Sequence, residues 1–359
     1  MLMKNTIKFG IAAAILVGVI ASSVALANPF QTLGSNNNDG PQASEGKAIR
    51  IGYFPNINHA QPVIGLGNGD YQKHLGEDVE VKTLVFNAGP SAIEALFANQ
   101  VDVTYIGPNP TINGYVQSEG KALKVISGTA SSGAVFVVRN GAGINSVGDF
   151  AGKRFGSPQL GNTQDVALRN YLLSNGYQTK ENGGNVEVLP AKNPDLVTLM
   201  IKKEIDGAWV PEPWGAKLLK ETDSRIFVDE RDLWPNGDFV TTNLIARTDF
   251  LEKNPGLIKK LVEATVDETQ WINSHPDEAR QAFNDELIKL TGKAIPEDEF
   301  KDGSSRLELT WDPIKSSLFK NGEDQYEIGF LDENPDLSGI YDLKILNEVL
   351  RQKGLPEIE

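Results

Sequence analysis

From Ile49 onward, short runs of β-branched and aromatic residues alternate with stretches whose apolar residues fall at helical spacing. IRIGYF, VEVKTLVF, VDVTYI and LKVISG have the composition of strands. HAQPVIGLGNGDYQKHL, SAIEALFAN and TINGYVQSEG, which lie between them, read as helices, the first weakened by its glycines. AVFVVR is a further strand, and a turn-rich piece, NGAGINSVGD, separates it from a second series that opens at KRFGSP. In that series VALRNYLLSN, LVTLMIKKE and WGAKLLKE read as helices, and VEVLPA, IDGAWV and IFVDE as strands. VTTNLIAR then returns the chain to the first series, and PGLIKKLVEATVDETQWINS and LKILNEVLRQ follow as helices. Alternation of this kind predicts an α/β protein with mostly parallel sheets covered by helices. A chain of 359 residues is long for one small core and comfortable for two lobes. The boundaries expected are residues 48–135 for the first part of lobe 1, 136–239 for lobe 2, and 240–359 for the rest of lobe 1 with the C-terminal helices.

The two series echo each other. ALFANQVDVTYIGPNP and TLMIKKEIDGAWVPEPW both run from a helix through a polar corner to an Asp, an aromatic and a Pro-x-Pro. Proline cannot continue a strand ladder and keeps the preceding residue extended. Pro-x-Pro is therefore expected to end each strand sharply and to hold Asn109 and Glu212 at the strand tips. Ligands of open parallel sheets bind beyond the carboxyl ends of the strands, so two such exits on two lobes suggest a shared cleft. Other junctions are rich in neutral donors. Ser91 is placed as an N-cap with Glu94 completing a capping box. Asn162, Thr163 and Gln164 open the next long helix, and Thr129 lies in GTASSGA, where the lobes should meet. Helix N-termini hold anions without a cationic side chain. Among the aromatics, Trp209 reads as core, whereas Tyr53 and Trp214 are placed at the cleft.

Charge and composition narrow the chemistry. A net charge of -14 with no basic run excludes the basic face that nucleic acid requires. The absence of cysteine excludes disulfides, thiolate metal sites, a cysteine nucleophile and a lipid-modified cysteine. Of three histidines, His74 and His275 read as surface residues, and His59, after the first strand, is the one able to reach a cleft. No nucleophile elbow, carboxylate pair, phosphate loop or metal-ligand spacing is present, so neither an enzyme nor a cofactor is expected. At the N-terminus, Lys4 and Lys8 precede an apolar run that ends in Ala25-Leu26-Ala27, the pattern of a secretory signal peptide over residues 1–27. The run is about as long as a bilayer-spanning helix, so an uncleaved anchor stays open. Residues 28–47 read as a flexible tether. Both alternatives place the protein outside the cytoplasmic membrane, periplasmic or tethered at the cell surface, with membrane contact only through the N-terminus.

GYFPNINHAQP, VFNAGPSAIEALFANQVDVTYIGPNP, GSPQLGNTQD and IDGAWVPEPWGAKL occur in that order. Together they resemble the solute-binding proteins of ABC importers in the nitrate/sulfonate/taurine group, over most of residues 48–352. The resemblance implies the class II periplasmic-binding-protein fold, with two α/β lobes, two crossover segments and the ligand between the lobes. It implies capture of a small organic anion and delivery to an ABC permease and its ATPase subunits. Aliphatic-sulfonate binders are the most similar subgroup. Taurine, nitrate, bicarbonate and thiamine-pyrimidine-precursor binders share the architecture. Fungal thiamine-pyrimidine synthases resemble the fold too, but their cysteine-rich motif is missing here. Carried over by position, the ligand-binding set is Tyr53, His59, Ser91, Asn109, Thr129, Asn162, Thr163, Gln164, Glu212 and Trp214. Glu212 would repel an anion, so it either meets an amine on the ligand or pairs with a donor on the other lobe.

Overall fold

The computed structural model describes residues 48–359. The signal peptide or anchor (1–27) and the tether (28–47) lie outside them. The described residues belong to one compact unit.

In chain order the first series is β1 (Ala48–Tyr53), α1 (Ala60–Gly67), α2 (Asp70–Leu75), β2 (Glu80–Val85), α3 (Gly89–Phe97), β3 (Val103–Ile106), α4 (Pro108–Gln117) and β4 (Leu123–Ser132). The second is β5 (Ala134–Arg139), β6 (Arg154–Ser157), α5 (Thr163–Ser174), β7 (Glu187–Pro190), α6 (Asn193–Ile201), β8 (Gly207–Pro211), α7 (Trp214–Glu221) and β9 (Ser224–Asp229). The chain then returns through β10 (Val240–Arg247), α8 (Thr248–Lys253), α9 (Pro255–Ser274), α10 (Pro276–Thr291), α11 (Glu297–Ser304), β11 (Leu307–Leu309), α12 (Lys315–Glu327) and α13 (Lys344–Gln352).

Two sheets result, ordered β11-β4-β10-β3-β1-β2 and β7-β6-β8-β5-β9. β1, β2 and β3 run parallel, as do β6, β7 and β8. The strands next to the crossovers, β4, β5, β9 and β10, pair antiparallel. Each sheet is therefore mixed, because a strand that carries the chain between lobes enters its sheet without a helical crossover. β5 shows why AVFVV is apolar throughout. Phe136 and Val138 pack on one face of the second sheet, Val135 and Val137 on the other, so a central strand buried on both sides shows no alternation. The first sheet is likewise covered on both faces. α1, α2, α9, α10 and α13 contribute to one core and α3, α4 and α12 to the other.

The local departures from expectation have simple causes. The first helical stretch is broken into α1 and α2 at Gly69, which adopts φ +84°. β4 runs on through GTASS to Ser132, so the stretch placed where the lobes should meet is ladder. α3 begins at Gly89, with Ala88 as its N-cap and no side-chain cap bond, so Ser91 sits inside the first turn and the expected capping box does not form. α4 begins at Pro108 itself, directly after β3. Proline suits this first turn because its missing N–H has no helical partner there and its φ is already helical.

Candidate functional site

Three helices of at least eight residues point their N-termini at one place, where the strand ends of the two sheets meet. Gly89, the first residue of α3, gives its N–H to Asn162 Oδ1 at 3.3 Å, and Asn162 caps α5. A side chain at Gly89 would meet Pro110 of α4 at 2.3 Å. A side chain at Gly107, the N-cap of α4, would meet Thr163 Oγ1 at 2.2 Å. Both glycines are needed for this close approach. No acidic residue occupies the first turn of α3 or α4. Asp165 in α5 is taken up locally by Ser157 Oγ (2.5 Å), the Gly161 N–H (2.9 Å) and Arg169 Nε (3.0 Å). Three positive helix ends thus converge with no facing anion, an arrangement that attracts one.

Around this point lie buried polar atoms without partners. They include Thr163 Oγ1, Asn109 Oδ1, His59 Nδ1, Asn58 Oδ1 and both amide atoms of Asn243. Leaving such groups unpaired costs roughly 1–3 kcal/mol each, and several together mark a place where something else completes the bonding. His59 is buried against Phe54, with ring centroids 4.5 Å apart. Burial lowers its pKa to about 3, so it is neutral at physiological pH and brings no charge to the site.

The expected residues fall into distinct groups. Asn109, Asn162, Thr163 and Gln164 are all buried at the converging helix ends. Asn109 Nδ2 donates to the Asn321 carbonyl at 3.3 Å, which leaves its oxygen free. Asn162 Nδ2 donates to Gln164 Oε1 at 3.3 Å. Ser91 Oγ donates to Gln159 Oε1 at 3.1 Å, spanning from the first lobe to the second. Trp214 is half-buried and donates its indole N–H to Asn56 Oδ1 at 2.9 Å, again between lobes. Glu212 pairs with a donor from the other lobe. Its Oε1 accepts from Arg306 Nε at 2.7 Å, and its Oε2 accepts the Ala216 N–H at 3.0 Å. Arg306 precedes β11 of the first sheet and also bonds both oxygens of Asp302. Burial disfavours its charge, but Asp302 and Glu212 outweigh that and hold its pKa above the ordinary arginine value.

Two expected residues are placed differently. Tyr53 is packed in the core beneath the first sheet with Ile49 and Ile51 rather than at a cleft wall, because it ends β1 facing α9 and its neighbours. Thr129 is inside β4, not in a connecting loop, and its hydroxyl is used up on the Thr242 carbonyl at 3.0 Å. Asn58 and Asn243 were missed. The signal for Asn243 was present, since an amide in the middle of VTTNLIAR interrupts an otherwise strand-forming run. Among the described residues no group of three or more His, Asp or Glu could hold a metal ion.

Residues 42–287 match the NMT1-like family. The chain belongs to that family. It is 26% identical over 260 residues to a protein of Brucella abortus (strain 2308) named as a binding protein, covering 72% of this chain and 76% of that one. It is 24% identical over 244 residues to the taurine-binding periplasmic protein of Escherichia coli (strain K12), covering 66% and 71%. In structure it is similar to the alkanesulfonate-binding protein SsuA from Xanthomonas axonopodis pv. citri bound to MOPS. The TM-score is 0.69 at 15% identity, with 84% of this chain and 100% of that chain covered. The NMT1-like chain therefore has the two-lobed α/β periplasmic-binding-protein fold, and with its relatives it is a solute-binding protein rather than an enzyme.

Proposed function

We propose that the protein is the extracytoplasmic component of an ABC importer. It captures a small organic anion, an aliphatic sulfonate, between its lobes and delivers it to the permease and its ATPase subunits. The observation that carries this is the convergence of the α3, α4 and α5 N-termini around the unpartnered Thr163 hydroxyl. A sulfonate has three oxygens with which to accept bonds from backbone N–H groups and hydroxyls, and it stays charged across the whole working pH range. The names of the relatives, taurine-binding and alkanesulfonate-binding, point to the same ligand class. A periplasmic or surface-tethered location accords with the secretory pattern of the N-terminus and with the periplasmic relative.

One observation favours taurine within this class. Asn58 Oδ1 and Asn109 Oδ1 are buried acceptors without a donor, and an ammonium group at the far end of an amino-sulfonate would supply one. Glu212 does not fill that role, since Arg306 already occupies it. A thermal-shift screen of alkanesulfonates, taurine, nitrate, sulfate, bicarbonate and aminopyrimidines tests the proposal. A ligand at a hundred times its Kd stabilises by about 2.7 kcal/mol. Alkanesulfonates or taurine are expected to give the largest shift, and a screen in which no anion raises the melting temperature would refute the proposal.

A further inference from the structure

A cavity of about 840 Å³ lies beside the interlobe site, lined by α5, α12 and the segment from Glu230 to Asp238 that leads from β9 to β10. This is the size of a small-molecule site. Its walls differ in kind from the neutral helix ends described above. Tyr171 and Trp234 supply aromatic surface, and Glu230, Asp238 and Asp324 supply carboxylates, while Trp209 is fully buried behind them and stacked on Phe136. Glu230 is 3% exposed. Its Oε2 accepts the Trp209 indole N–H at 2.7 Å. The neighbouring charges that act on it, Asp229 and Asp324, are both negative. The one lysine in the wall, Lys320, is engaged by Asp324. Trp234 is half-buried and stacks on Phe239 with centroids 5.6 Å apart. A buried carboxylate facing an aromatic-lined space without a counter-cation is costly. The same elements, an aromatic face and a carboxylate, are what attract an organic cation.

We propose that this hinge-side cavity is a second ligand site, specific for a small organic cation of the alkylammonium or quaternary ammonium class, held by Glu230 with Trp234 and Tyr171 as its aromatic wall. The occupant would touch the segment between the sheets and α12, which packs on α4 and α5. It would therefore bind the arrangement in which the lobes are together, and so couple to capture in the main cleft. Such coupling is reciprocal.

The site is independent of the sulfonate proposal and is tested apart from it. Calorimetric titration of the full-length protein at pH 8 uses tetramethylammonium chloride and ethylammonium chloride, with sodium chloride at equal ionic strength as the control. Saturable one-to-one binding of at least one cation is expected. Glu230→Gln and Trp234→Ala should each weaken it at least tenfold and leave ethanesulfonate binding within a few-fold of wild type. Trp234 is half-buried, so its variant serves if Glu230→Gln fails to fold. Thr163→Val should leave cation binding unchanged. No saturable cation binding beyond the sodium control, wild-type cation affinity in the folded cavity variants, or loss of cation binding in Thr163→Val would each overturn the proposal. The last of these would put the cation in the main cleft.

Discussion

The two Pro-x-Pro exits begin alike and end differently. Each is preceded by an aspartate that ties down a neighbouring strand. Asp102 accepts the Arg50 N–H at 2.9 Å, and Asp206 accepts the Arg154 N–H at 2.9 Å. Each aspartate is also bonded by a guanidinium, from Arg50 and Arg139 respectively. From there the exits diverge. IGPNP passes straight into α4 and buries a neutral amide with a free oxygen beside two other helix ends. VPEPW makes a turn containing a cis Glu212–Pro213 peptide before α7, and buries a carboxylate paired with an arginine of the other lobe. One sequence device thus gives a ligand-facing corner in the first lobe and a latch in the second. What separates them is the charge of the middle residue and what lies opposite it.

The largest effect belongs to the latch. Arg306→Ala strands the fully buried Glu212 carboxylate and should cost about 3–5 kcal/mol, read by denaturant unfolding. Adding Glu212→Gln should recover part of that loss. Equal costs for the single and double variants would mean that the pair does not couple the lobes. Gly107→Ala attacks the other exit. Its Cβ would meet Thr163 Oγ1 at 2.2 Å, while its φ of -69° is ordinary for alanine. Overpacking of about 1–3 kcal/mol should then fall on the closed form alone. Sulfonate affinity should drop about tenfold to a hundredfold, and small-angle scattering should show no ligand-induced decrease in the radius of gyration. A wild-type decrease in this variant would count against a closed form in which Gly107 must meet Thr163.

Legibility in the sequence followed the range of the forces involved. α9 and β10 have the bounds of the stretches PGLIKKLVEATVDETQWINS and VTTNLIAR, because the helix keeps its apolar spacing over its whole length behind an opening proline, and the strand is an unbroken run without glycine or proline. α12 went unread, since KSSLFKNGEDQYE mixes Asn, Gly and charges and has only a weak apolar stripe. Yet Asn321 and Gln325 of that helix bond Asn109 from behind. The helix starts at Asn109 and Thr163 were marked by proline and by neutral N-cap residues. The partners that decide what those residues do lie far away in sequence, as Arg306 does from Glu212 and Asn56 from Trp214. No local pattern reports such pairings.

Smaller changes sharpen the difference between the exits. Asn109→Ala removes the free acceptor. It should weaken taurine about tenfold relative to ethanesulfonate, at a stability cost of about 1 kcal/mol for the lost bond to Asn321, both read by calorimetry and unfolding. Equal loss for the two ligands would remove the amine-accepting role. His59 probes the neutrality of the first lobe's side. Its folded pKa, about 3, lies below the unfolded value of 6.5. The stability it contributes is therefore present above pH 6.5 and is lost as pH falls toward 3, at about 1.4 kcal/mol per pH unit. His59→Gln should flatten the acid limb of the stability curve by that slope. Ligand affinity in the wild type should stay constant within about twofold from pH 6 to 9, because His59 is neutral throughout that range.

The most direct test of a neutral, helix-terminus anion site is calorimetric titration of ethanesulfonate into the wild type and Thr163→Val. Valine keeps the shape and removes a buried hydroxyl that has no partner. Saturable one-to-one binding by the wild type is expected, weakened about tenfold to a hundredfold in the variant, the loss of one hydrogen bond to a charged group. Unchanged affinity in a folded Thr163→Val, or no saturable heat in the wild type, would place ligand capture somewhere other than the converging ends of α3, α4 and α5.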